Sequence, residues 1–101
     1  MNKSTVYSPL EDSNLLATAV EKYAYGAVLD IGTGSGIQAV TAAKKKEVKS
    51  VVAADINEEA LAFAAAAAKE NAKDKIKFVK SDLFSSVKGK FDTLIFNPPY
   101  L

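Results

Sequence analysis

Three glycines at alternate positions, in Gly32-Thr33-Gly34-Ser35-Gly36, stand between an apolar run, Ala27 to Ile31, and a helix-compatible segment, Ile37 to Lys46. Glycine at this density lets the backbone turn through left-handed dihedrals and lets another group approach the main chain closely. A helix beginning directly afterwards offers free backbone amides at its start. The order is therefore strand, tight loop, helix. It recurs with Ser50 to Ala54 as a strand, Asp55-Ile56-Asn57 as a turn, and Glu58 to Asn71 as an alanine-rich helix capped by Asn57. A third strand is predicted over Lys75 to Val79, and a fourth over Phe91 to Phe96 after the turn Lys88-Gly89-Lys90. Alternating strands and helices of this kind predict the α/β class, a mainly parallel sheet with helices on both faces.

Ahead of the first strand, Ser8-Pro9-Leu10-Glu11 reads as a helix start, with Ser8 as cap, Pro9 in the first turn and Glu11 reaching back. The helix is expected to run to about Tyr25, to bury Leu15, Leu16, Ala19, Val20 and Tyr23 on one face, and to stop at Gly26. Three lysines end the second helical segment, where they suit the dipole. Ala62 to Ala68 reads as a close-packed helix face on the sheet. At 101 residues the chain suits one domain, 1–101, divided into a covering helix, 1–26, and a sheet core, 27–101.

In a parallel sheet the loops after each strand share one edge, and open α/β sheets bind ligands there. All four such loops carry distinctive residues. Gly32, Gly34 and Gly36 make room for a ligand against the backbone. Their spacing places the third glycine one position earlier than in G-x-G-x-x-G, which argues against a dinucleotide. Asp30, at the end of the first strand, needs a partner for its charge, which a cationic cofactor group would supply. Asp55 lies about 20 residues beyond the glycine loop, where a carboxylate accepts from both ribose hydroxyls of an adenosine. Asp82 could accept from an adenine amine while Leu83 packs on the ring, and Ser13 on the first helix could bond a cofactor carboxylate.

The fourth loop is Asn97-Pro98-Pro99-Tyr100. Two prolines end a strand unaided, but they leave the flanking amide and aromatic ring unexplained. A planar nitrogen is a poor nucleophile while its lone pair is delocalised. Hydrogen bonds from its protons to the Asn97 side-chain oxygen and the Pro98 carbonyl would orient that lone pair, and Tyr100 would stack on the planar group. Histidine and cysteine are both absent, which excludes imidazole bases, thiol nucleophiles, disulfides and the usual zinc ligands, and no metal site is expected.

These motifs together resemble the class I S-adenosylmethionine-dependent methyltransferases, and within them the HemK-like group that methylates the glutamine of peptide release factors. Val6-Tyr7-Ser8-Pro9-Leu10-Glu11-Asp12-Ser13 followed by paired leucines is similar to the N-terminal signature of the archaeal and eukaryotic branch. The resemblance implies a Rossmann-like sheet with S-adenosylmethionine as cofactor. Asp30, Gly32, Gly34 and Gly36 would then lie at its methionine portion, Asp55 at the ribose, Asp82 and Leu83 at the adenine, and Ser13 at the methionine end. Asn97, Pro98, Pro99 and Tyr100 would hold the substrate amide. It also implies seven strands, of which strands one to four are recognisable here, so that Phe91, Leu94, Ile95 and Phe96 are expected on an open edge.

Three alternatives follow from that shortfall: a truncated chain, a second-half chain as partner, or self-association through strand four. The resemblance implies a small zinc-binding activator subunit as a further partner. A net charge of +1 gives no support to a broadly basic nucleic-acid surface, which favours a release-factor substrate over an adenine amine in RNA or DNA. A non-catalytic cofactor-binding half-domain is the competing function. No stretch approaches the ~20 apolar residues of a membrane helix, and a cytoplasmic location is expected.

Overall fold

The computed structural model describes residues 9–68 and 73–96, with side chains from residue 15 onward and again from residue 74. Three helices, α1 (Pro9–Tyr23), α2 (Ile37–Ala43) and α3 (Glu58–Ala67), accompany four strands, β1 (Gly26–Ile31), β2 (Val48–Asp55), β3 (Ile76–Lys80) and β4 (Thr93–Phe96). All pairings are parallel, in the order β3-β2-β1-β4. The chain therefore winds outward from β1 to β3 and then crosses back to the far side of β1.

That reversal decides which face each connection covers. Right-handed crossovers running β1 to β2 to β3 must lie on one side of the sheet, and the return to β4 must lie on the other. Both helical crossovers obey, because Ala39, Ala42 and Ala43 of α2 and Ala68 at the end of α3 join one core with Val28, Val51, Ala53, Ile76 and Ile95, to which Val20 of α1 and the following Ala24 also belong. The opposite face, Leu29, Ile31 and Ala54, is covered by Val87 and Phe91 of the β3–β4 connection. The expected helices on both faces are thus corrected among the described residues: the helices share one face and a loop takes the other.

The core is built from small residues so that helices approach the sheet closely. Val28, Val48 and Val51 are its largest fully buried apolar side chains, each worth about 1.5–3 kcal/mol of transfer from water. Of the expected alanine face Ala62 to Ala68, only Ala64 and Ala68, four residues apart, are buried on the sheet; Ala62, Ala65, Ala66 and Ala67 are exposed. On α1 the expected buried face is only partly correct. Leu16 and Val20 pack inward, joined by Ala24 just past the helix, whereas Ala19 is exposed and Leu15 and Tyr23 remain 71% and 69% exposed. Residues four apart form separate rows along a helix, and of the two adjacent apolar rows only the one through Leu16 and Val20 meets the core. The helix ends at Tyr23, and Gly26 is already the first residue of β1.

Lysine placement differs too. Helix α2 stops at Ala43, so Lys44, Lys45 and Lys46 follow it. Lys75, just ahead of β3, ties down the loop between α2 and β2, donating to the carbonyls of Lys45 at 2.8 Å and Val48 at 2.7 Å. The start of β4 is tied to the start of β1. Thr93 Oγ1 accepts from the Tyr25 amide and donates to the Tyr25 carbonyl, and the Asp92 carboxylate accepts from the Ala27 amide. These bonds set a register that pairs Phe96 with Ile31. Within this sheet β4 is an edge, with Leu94 and Phe96 about half exposed as expected, but Ile95 is buried and Phe91 packs on the second face.

Candidate functional site

Every described loop residue singled out above lies at the carboxyl edge of the sheet. The glycine loop is closed by three short bonds: the Gly32 and Thr33 amides donate to the Ala54 carbonyl, and the Gly36 amide donates to Thr33. Gly32, Gly34 and Gly36 all adopt positive φ, at 72°, 54° and 84°. At Gly36 this is coupled to packing, because a Cβ there would lie 2.8 Å from the Ala64 Cβ. Only glycine lets α3 close on the start of α2. At Gly32 a Cβ would meet nothing within 4 Å, so open space stands beside the loop.

Asp30 is 2% exposed and accepts a 2.7 Å hydrogen bond from the Thr33 hydroxyl. Among the described residues no cation forms an ion pair with it. Burial pushes its carboxyl from the ordinary 3.8 up to about 7; the Thr33 bond opposes the rise, the nearby Asp55 carboxylate adds to it, and the Ala39 amide opposes it. The result is a proton-holding or cation-seeking group beside the loop. Thr33 was not singled out in the sequence, although a hydroxyl three residues after Asp30 inside the glycine cluster was the available signal.

Asp55, the last residue of β2, joins two loops. One carboxylate oxygen accepts from the Gly34 amide at 3.0 Å and the other from the Asn57 amide at 2.9 Å. An ionised carboxylate has about four acceptor positions, so both oxygens keep capacity for a ligand's hydroxyls. Asn57 caps α3 through the Glu59 and Ala60 amides, which leaves Asp55 without that duty.

Beyond β3, Asp82 and Leu83 are exposed on a compact turn. Leu83 has φ of 55°, a left-handed conformation that costs a side chain about 1–2 kcal/mol. Buried Ser81 organises the turn, donating from Oγ to the Leu83 carbonyl and accepting from the Ser86 amide. Ser81 is the second residue that sequence reasoning missed.

Two adjoining recesses result. A groove of about 360 Å³ is lined by Ile31, Gly32, Asp55, Ile56, Ser81, Asp82, Leu83 and Phe96. A smaller recess of about 130 Å³ involves Asp30, Gly32, Thr33, Gly34, Ser35, Ile37 and Gln38, and Gly32 borders both. The groove is largely apolar with carboxylates at its rim; the recess is polar. Ser13 lies on α1 with its side chain outside the described set, and Asn97, Pro98, Pro99 and Tyr100 lie outside the described residues. They follow directly after Phe96, a groove wall.

A family profile described as methyltransferase small domain matches residues 3–101. A Methanocaldococcus jannaschii protein named for protein N5-glutamine methyltransferase activity is 46% identical over 99 residues, covering 95% of this chain and 48% of its own length. A release factor glutamine methyltransferase of Streptococcus pneumoniae is 48% identical over 77 residues, covering 73% of this chain and 26% of its own. Among solved structures, the ribosomal protein L11 methylase of Lactobacillus delbrueckii subsp. bulgaricus superposes with a TM-score of 0.71 at 34% identity, covering 86% of this chain and 46% of that one. The chain spans about half, or less, of the relatives it matches.

Proposed function

Because the chain belongs to the methyltransferase small-domain family, we propose that its groove and recess hold S-adenosylmethionine for methyl transfer to a planar amide nitrogen, the glutamine side chain of a peptide release factor. One observation supports this above the rest: Ile31 and Gly32, Asp55, Asp82 and Leu83, and Phe96 come from four separate chain segments and line one groove. The residues fit the cofactor. Open space beside Gly32 accommodates it, the apolar groove suits a base, and the unpaired, buried Asp30 suits a nearby cationic group.

In this assignment Asp55 accepts from ribose hydroxyls, Asp82 from the adenine amine, and Leu83 and Ile56 pack on the ring. Gly32, Gly34 and Gly36 border the methionine portion, with Asp30 balancing its charge and Ser13 at its carboxylate. The cofactor supplies an electrophilic methyl group on a sulfonium. The chain's own contribution is alignment. Asn97 and the Pro98 carbonyl accept from the substrate amide protons, Pro99 stiffens the loop, and Tyr100 stacks on the planar group. Such positioning and placed dipoles account for the acceleration without an imidazole base.

A small zinc-binding activator, or a chain supplying further strands beside β4, belongs to the same proposal, as does a cytoplasmic location. No described helix is long and apolar enough to cross a membrane. The test supplies the chain and any such partner with methyl-labelled cofactor and either release factor or RNA. Label on a release-factor glutamine supports the proposal; label on an adenine amine, or binding without transfer to either, overturns the assigned acceptor.

A further inference from the structure

Leu83 is the only non-glycine residue with positive φ among the described residues, and the groove wall it forms is left half exposed. A strained conformation at an exposed leucine persists only where its surroundings over-determine it. Those surroundings are small and local. Ser81 is 4% exposed, and its amide donates to the Asp55 carbonyl at 3.0 Å, anchoring the turn to β2. Its hydroxyl donates to the Leu83 carbonyl at 2.7 Å and accepts from the Ser86 amide at 3.0 Å. A second clamp closes the same turn, the Asp82 amide donating to Ser85 Oγ at 3.2 Å and the Ser85 amide to the Asp82 carbonyl at 3.1 Å. The Ser81 hydroxyl is thus used twice inside the turn, one bond ending on Leu83 and the other spanning it.

We propose that Ser81 is a positioning residue that sets the base selectivity of the groove: its hydroxyl locks the turn so that Asp82 and Leu83 face a purine bearing an exocyclic amine. This rests on the reading of the groove as an S-adenosylmethionine site. Asp82 confers selectivity only while it is fixed. A carboxylate accepts from the 6-amino group of adenine but meets a carbonyl acceptor at the same position of hypoxanthine, and a mobile turn swings away from that mismatch. Alanine at position 81 removes a donor from the Leu83 carbonyl and an acceptor from the Ser86 amide together, and Leu83 then relaxes to negative φ.

The experiment titrates S-adenosylhomocysteine and S-inosylhomocysteine into the full chain by calorimetry, for wild type, Ser81→Ala and Ser81→Thr. Wild type is expected to favour the adenine compound by about tenfold to a hundredfold, the range for one hydrogen bond to a charged acceptor. Ser81→Ala is expected to lower that ratio to less than about threefold, and Ser81→Thr, which keeps the hydroxyl, to restore it. An independent readout is the strong amide-to-Hα cross-relaxation within Leu83 that positive φ gives, expected to be lost in Ser81→Ala while the sheet signals stay in place. A purely structural serine would weaken both ligands equally, and that outcome overturns the proposal. So does a wild-type ratio retained in Ser81→Ala. Failure of wild type to bind S-adenosylhomocysteine at all sinks the cofactor reading itself, and this inference with it.

Discussion

Gly36→Ala offers a test of how the ligand loop is held. The residue has φ of 84°, and a Cβ added there would meet the Ala64 Cβ at 2.8 Å and its Cα at 3.2 Å. The left-handed backbone costs about 1–2 kcal/mol for alanine, and the forced overlap in a packed interior about 1–3 kcal/mol. A loss of about 2–5 kcal/mol follows, against ~5–15 kcal/mol for a whole domain. Removing the opposing methyl separates the two costs. Ala64→Gly alone loses about 1 kcal/mol of helix propensity, and in the double variant the methyl overlap is gone while the backbone cost remains. Urea denaturation followed by circular dichroism should therefore give a favourable coupling of about 1–2 kcal/mol in the double-mutant cycle. Additivity within about 0.5 kcal/mol would refute the contact between loop and α3 as the reason for glycine.

Asp30 gives a pH signature. Its folded pKa of about 7 exceeds the ordinary 3.8, so the folded state binds the extra proton; the associated stability is full below about pH 4 and is lost as pH rises through 7. Asp30→Asn should remove a slope worth about 4 kcal/mol across that window, read as the difference between wild-type and variant urea midpoints from about pH 3 to 8. Thr33→Val, by deleting the bond that opposes the rise, should move the Asp30 titration further upward, as NMR titration would show; a downward shift contradicts the assigned role. Lys75→Met leaves the Lys45 and Val48 carbonyls without their charged donor and should cost about 1–3 kcal/mol by urea denaturation.

Local chemistry was legible in the sequence, and contacts between distant segments were not. Apolar runs and turn residues located each strand, and Asn57 marked the start of α3, because strand burial and capping act over a few residues. Leu15 and Leu16 were indistinguishable by spacing, since only packing on α2 decides which of two neighbouring rows turns inward. The sidedness of the helices depended on strand order, which no local pattern encodes. For the site, Asp30, Asp55 and the glycines stood out by type and position, whereas Ser81 and Thr33 act through hydrogen bonds to turns whose shape exists only after folding. The meeting of Gly36 with Ala64 likewise needed the crossover geometry.

The central claim is that the groove between the glycine loop, Asp55, the Ser81 turn and Phe96 receives an adenosyl cofactor. Titration of S-adenosylhomocysteine into isotopically labelled chain, followed by amide chemical shifts, tests it most directly. Saturable shifts confined to Gly32, Gly34, Ile56, Asp82, Leu83 and their neighbours are the predicted result. Shifts centred instead on the polar cleft of Glu21, Lys22, Thr41, Lys44, Lys45 and Glu47, or no shifts at any concentration, would contradict it.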